Sequence, residues 1–248
     1  MEYLALVLVG AAILAAAFWL RPSHSEVPDS ERGVLQTPAS PDYPELPDDA
    51  DAAIRREWFW QIVELSREGD PAQEEQIAQL RAILSKYPAE LIEVFGSEFD
   101  AVLSETYSWD LWGAAYVIMG GCSDDSFEYF RVWMVSRGNA FFEAARENPD
   151  RMAELIPPTF DDLPDFELFA YAAGDAWALK TGEEPYEMPT APNMIYTREP
   201  DGQPFGEEDD DFSDRYPMLW ERFGARPLGC DRVAKSGSLF EPPEAEGA

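Results

Sequence analysis

Residues 108–138, SWDLWGAAYVIMGGCSDDSFEYFRVWMVSRG, hold most of the side chains in this chain that could do chemistry. Cys122 lies one residue before Ser123, where the start of a helix would lower a thiol pKa. Asp124 and Asp125 at the same helix start act in the opposite direction. The single histidine of the chain, His24, stands just beyond an apolar N-terminal run, so no imidazole is at hand to pair with the thiol. A small packed cysteine is the simpler role. Asp110, Asp124 and Asp125 offer the oxygen ligands that Mg²⁺ or Ca²⁺ would take, and acids at helix starts serve equally as caps and dipole partners. Arg131, set among aromatic residues, either binds an anionic substrate or pairs with Asp110 or an Asp of the Gly120-Gly121 turn. Pairing is the expectation, because a buried guanidinium without a partner is costly. Trp109 and Trp112 form a ligand platform or simply core, and helical spacing of aromatics favours core. The candidate ligand-binding set is thus Trp109, Asp110, Trp112, Cys122, Asp124, Asp125 and Arg131, with no catalytic residue, no metal and no cofactor assigned.

These residues need two helices and a break between them. Trp109, Trp112, Tyr116 and Met119 repeat at helical spacing, with Leu111, Ala115 and Ile118 on the adjacent face, so little of that helix is left for water. Gly120 and Gly121 end it and Ser123 caps the next, which carries Phe127, Phe130 and Met134 on one side and Tyr129 and Trp133 on another.

The rest of the chain repeats the helical pattern. Ile54, Trp58, Ile62 and Leu65 mark a first helix, stopped at Gly69. Asp70-Pro71 reads as the cap and first residue of a second helix carrying Ile77, Leu80, Ile83 and Leu84. Pro88 opens a third with Leu91, Ile92, Phe95, Phe99, Val102 and Leu103. Asn148-Pro149-Asp150 opens a short one through Ile156, and a last helix runs from about Asp165 to Lys180. Alternation long enough for a sheet is absent from the sequence. The fold expected is all-α, an irregular multi-helix bundle over residues 54–182.

Tyr3 to Leu20 is an apolar run of eighteen residues without a charge, close to hydrocarbon thickness at about 1.5 Å per helical residue. It reads as a single transmembrane helix (residues 1–21) rather than a cleaved signal, because no basic residue precedes it. Arg21 and Arg32 follow it, which places the bulk of the protein in the cytoplasm by the positive-inside rule. Residues 22–53 read as a disordered tether rich in Pro and acids. Residues 183–248 read as a largely irregular acidic tail with a docking segment near 214–224, whose Tyr216, Met218, Leu219, Trp220 and Phe223 are too apolar for a free end. The acidic run at 207–211 fails as an EF-hand, since alignment on Asp209 puts Asp214 where Gly is needed and Trp220 where Glu is needed. It reads as a solvated loop.

The chain of 248 residues has 18 Lys and Arg against 49 Asp and Glu, a formal charge of -31. Nucleic-acid binding by field is excluded, because phosphate contacts need clustered cations. Two cysteines and one histidine are too few for structural zinc or a disulfide framework.

The segment Trp109-Asp110-Leu111-Trp112-Gly113-Ala114-Ala115-Tyr116, followed by Gly120-Gly121-Cys122-Ser123-Asp124-Asp125 and by Tyr129-Phe130-Arg131-Val132-Trp133, resembles the bacterial domain-of-unknown-function family 4240. A weaker similarity opens at Phe59-Trp60-Gln61-Ile62-Val63-Glu64. The resemblance covers roughly Glu57 to Gly182, with the Tyr216–Phe223 island beside it. It implies a similar helical architecture, no established activity and no catalytic residues. The apolar N-terminus and acidic tether depart from the family's usual soluble form.

Taken together, the sequence points to a membrane-tethered helical interaction module at the bacterial cell membrane, anchored through residues 3–20, with an acidic surface for a basic protein partner. An enzyme or a metal- or phosphate-binding protein with its carboxylate and Arg site at the Gly120-Gly121 turn is the alternative. A secreted helical domain follows if the N-terminus is a cleaved signal.

Overall fold

The computed structural model describes residues 43–189, 199–206 and 208–228. The expected anchor and most of the expected tether lie outside the described residues. Among those described, no helix is long and apolar enough to cross a membrane.

Helix α1 (Ala52–Leu65) starts where Asp51 accepts the Ile54 N–H at 3.0 Å. Trp58, Phe59 and Trp60 are consecutive and all buried, so more than half the helix circumference faces protein. Ile54, expected in the stripe, is exposed. Helix α2 (Gln73–Leu84) begins two residues later than an Asp70 cap would place it. Gly69 and Asp70 both take positive φ, 85° and 51°, and together make the turn, leaving Pro71 and Ala72 to lead into the helix. Helix α3 (Ala89–Ser104) buries Ile92, Phe95, Phe99, Val102 and Leu103. Helix α4 (Trp109–Met119) is capped by Ser108, which accepts the Leu111 N–H, and ends at Gly120 with φ 74°. Helix α5 (Asp124–Ser136) is capped by Ser123.

Helix α6 (Asn139–Glu147) has no sequence cap of its own, and its Asn139 N–H donates to the Glu64 carboxylate of α1 at 3.0 Å. A 3-10 turn (Pro149–Arg151) leads into the one-turn α7 (Met152–Leu155). Helix α8 (Glu167–Thr181) runs through the middle, packed against α2, α3 and α5. Its buried Ala172, Ala173, Gly174 and Ala176 let these neighbours approach closely.

The architecture among the described residues is all-α, with one isolated bridge between Ser108 and Asp201 and no strand. Forty-one buried apolar residues, running from Trp58 to Phe223, join in a single core.

Two longer stretches of the chain also differ from the sequence expectation. Residues 43–50, assigned to the tether, lie on the domain, where Tyr43 and Leu46 pack against the core and the Pro44 carbonyl accepts from Trp58 Nε1 at 3.1 Å and Tyr87 Oη at 2.7 Å. Prolines with φ already restricted lose little entropy on ordering, and two apolar side chains suffice to seat the strip. The acidic run, expected as a loop, opens helix α9 (Asp209–Arg215), with Asp209, Asp210 and Asp211 in the first turn, where negative charge meets the positive end of the helix dipole. Buried Phe212 fixes it to the core. Helix α10 (Pro217–Leu219) follows and widens into a π-helical turn (Trp220–Gly224), burying Leu219 and Phe223.

Candidate functional site

The Gly120-Gly121 turn is bound to α4 by an indole. Trp112 Nε1 donates to the Cys122 carbonyl at 2.9 Å. The Trp112 ring lies parallel to Trp109 at 5.2 Å and to Phe127 at 4.9 Å, so the two helices are joined through stacked rings. Trp109 and Trp112 therefore have each other and Phe127 as their platform. Cys122 is half-buried, and burial pushes its thiol up to about 12. At neutral pH it is a neutral, poorly nucleophilic group.

The three candidate carboxylates are not brought together. Asp110 is held by Arg215 of the tail, whose Nε donates to it at 2.9 Å while Nη2 makes a second, closer contact. Asp124 and Asp125 stand exposed in the first turn of α5, where they face its dipole. Among the described residues, no group of three His, Cys, Asp or Glu side chains is placed to hold a metal ion.

Arg131 is 1% exposed and donates to the Leu103 carbonyl at 3.2 Å. Its guanidinium lies 5.2 Å from the ring centroids of both Tyr107 and Phe127. The expected partner Asp110 is taken by Arg215, which the tail carries across the start of α4. Arg131 thus closes the α3–α5 junction rather than the glycine turn.

What covers the motif helix is the tail. Asp201 exchanges backbone hydrogen bonds with Tyr107 and Trp109 at one end of α4, and the Leu228 N–H donates to the Ile118 carbonyl at 2.7 Å at the other. In between, Tyr216 Oη donates to the Asp110 carbonyl at 2.9 Å, Tyr116 stacks on Phe212, and Phe205 packs on Trp109 and Tyr116. At Gly113 the strap comes close to the backbone of α4: a Cβ there would run into the Tyr216 hydroxyl and lie 3.0 Å from Phe205. Burial pushes the Tyr216 phenol well above its ordinary value.

Sequence reasoning missed two polar anchors of this strap. Asp150, 8% exposed, accepts the N–H groups of Met218 at 3.2 Å and Leu219 at 2.9 Å, satisfying the start of α10 from a distance of 69 residues. Arg222 donates to the carbonyls of Ala153 at 2.5 Å, Ile156 at 2.6 Å and Pro157 at 2.9 Å, where α7 ends. Nothing local in the sequence signals either pairing.

A second feature missed is a cleft of about 340 Å³ at the far end of α5, between the start of α2 and the loop 157–166. Its walls include Trp133, Phe160 and Phe166, and its carboxylates are Asp70, Glu74 and Asp162. Gln76, 3% exposed, forms part of the lining; its Nε2 donates to the Ser136 carbonyl at 2.9 Å and to Ser66 Oγ at 3.4 Å. Arg137 is the guanidinium of the lining, 4.0 Å from Asp70, and burial and neighbouring Arg67 hold its pKa below the ordinary arginine value.

A family model described as a protein of unknown function (DUF4240) matches residues 54–178, half of the chain. The match spans α1 to the last turn of α8 and ends before the strap at 199–228. No curated protein and no solved structure matches the chain.

Proposed function

The chain belongs to the DUF4240 family, and we propose that this member is a membrane-tethered interaction module whose acidic helical domain engages a basic protein partner. The observation that carries the reading is the charge, -31 over 248 residues, with acids outnumbering bases in the N-terminal, central and C-terminal parts alike. Such a field speeds encounter with a cationic partner and holds the domain off anionic lipid. The apolar run at 3–20 supplies the tether, and Arg21 and Arg32 orient it with the domain in the bacterial cytoplasm. Supporting the non-enzymatic reading, three of the motif's groups are engaged in structure: Asp110 by Arg215, Arg131 by two rings and a carbonyl, Trp112 by the glycine turn.

The test has two parts. Alkaline carbonate washing of bacterial membranes leaves the full chain in the pellet, and deleting residues 3–20 sends it to the supernatant. Capture on the full chain at low salt enriches a basic protein that is released as ionic strength rises from ~0.1 M to ~1 M, where the screening length shrinks from about 10 Å to about 3 Å. A partner held equally at both salt levels, or a full chain freed by carbonate, overturns the reading.

A further inference from the structure

Of the five large apolar side chains exposed among the described residues, four lie between 168 and 186: Leu168, Tyr171, Leu179 and Tyr186. The first three are 54%, 49% and 85% exposed and stand on α8. At about 100° per residue, positions 168, 171, 175 and 179 fall within an arc of about 80°. They form one outer stripe, about 16 Å long, while Phe169, Ala173, Ala176 and Trp177 face the core. Asp175 is the charged member of the stripe, and Arg81 of α2 meets that charge. Tyr171 Oη donates to the Glu167 carboxylate at 2.7 Å, so the phenol is satisfied and the ring is what it offers a partner. At the Leu168 end the stripe opens on a hollow of about 180 Å³ walled by Ile77, Phe166 and Leu168. Apolar residues scattered over a surface mean little, but a stripe along one helix face with a hollow at its end has the shape of a docking site.

The occupant follows from form and charge. Among the described residues there is no strand, so a partner has no sheet edge to extend, and a ridge repeating at helical spacing packs best against a second helix. Residues 165–187 hold six acids and one base, Lys180. Glu183 and Glu187 are exposed beyond one end of the stripe, and Asp165 and Glu167 are half-buried at the other. A second copy of the chain would bring these acids against themselves, and an anionic bilayer is repelled by them. A helix with Lys or Arg beside its apolar face is drawn in.

We propose that the outer face of α8 is the surface on which the basic partner docks. The partner presents an amphipathic helix, with apolar residues against Leu168, Tyr171 and Leu179 and basic residues against the acids at either end. The proposal rests on the reading above and gives its contact surface.

The experiment places the full-length chain in nanodiscs of phosphatidylcholine, with empty nanodiscs as the blank. A fluorescein-labelled helical peptide, with leucines at i, i+4, i+7 and i+11 and lysines at both ends, is followed by anisotropy. The double variant Leu168→Ser, Leu179→Ser is expected to bind it about tenfold more weakly than the unaltered chain. Glu183→Gln with Glu187→Gln weakens binding about threefold and flattens its dependence on salt. Asp124→Asn with Asp125→Asn removes the same charge elsewhere and leaves binding unchanged. Near-UV circular dichroism checks that each variant keeps the native packing. Equal binding by the leucine variant overturns this face and leaves the basic-partner reading standing. Equal binding of a peptide with glutamates in place of the lysines overturns both, because charge would then select nothing. No binding of the lysine peptide by the unaltered chain up to about 1 mM overturns the face, and the salt-dependent capture described above then decides the reading by itself. Energy transfer between copies dyed at the N-terminus in two colours, lost in the leucine variant, also overturns the proposal, since a second copy would be the occupant.

Discussion

The helices from α1 to α8 and the strap at 199–228 meet one core by different means. The helices are joined by continuous apolar faces, as where Trp58, Phe59 and Phe95 meet between α1 and α3. The strap adds apolar side chains too, Phe212, Tyr216, Leu219 and Phe223, but its position is set by a few polar contacts reaching far along the chain: Arg215 to Asp110, Asp150 to α10, and Arg222 to the end of α7. Continuous faces tolerate small shifts because every residue contributes a little. A strap held at a handful of polar points keeps one register or lets go.

That contrast can be broken from either side. The largest effect is expected for Phe95→Ala, which empties the α1–α3 interface and should cost about 3–5 kcal/mol in urea unfolding, with strap and helices lost in one transition. Next comes Gly113→Val, whose side chain occupies the place of the Tyr216 hydroxyl. Here a loss of about 1–3 kcal/mol is expected, with hydrogen exchange rising at 209–228 while α1–α3 keep their protection. Exchange rising equally in both regions would show that strap and helices are one cooperative unit. Arg215→Ala removes a partly exposed ion pair and should cost no more than about 1 kcal/mol, with a double-mutant cycle against Asp110→Asn assigning the coupling.

The smallest effect concerns Cys122. Burial pushes the Cys122 thiol up to about 12 in the folded chain, above its ordinary value near 9.0, so the folded chain holds a proton that the unfolded chain gives up between these values. Its contribution to stability is fully present below pH 9 and is lost as pH climbs toward 12. Iodoacetamide labelling of Cys122 in the folded chain should be slow at pH 8 and still accelerating above pH 9. Labelling as fast as free cysteine at pH 8 would show an open, ionised thiol.

The sequence makes the helices legible because their signals are local. Ser108 and Ser123 cap where they stand, Gly120 ends α4 in the left-handed region, and the apolar spacing of α3 is its buried face. Asp70 misleads for a local reason as well: beside Gly69 it is equally able to form a turn, and the pair does so. The candidate site is less legible. Its residues are correctly picked out as a constellation around one turn, yet Asp110 and Arg215 are 105 positions apart and nothing near Asp110 announces a guanidinium. Asp150 reads as a helix start and serves a different helix. The cleft draws on three stretches, 70–76, 133–137 and 157–166, of which only Trp133 belongs to the motif. Groups that act through tertiary contact leave no spacing to read.

The covering of α4 by residues far downstream has a consequence for biosynthesis. Tyr216 follows Asp110 by 106 positions, so the motif helix leaves the ribosome well before its lid is translated. At about 5–20 residues per second the interval lasts roughly 5–20 s. During it Trp109, Tyr116 and the notch at Gly113 lack the Phe205, Phe212 and Tyr216 side chains that cover them in the folded protein.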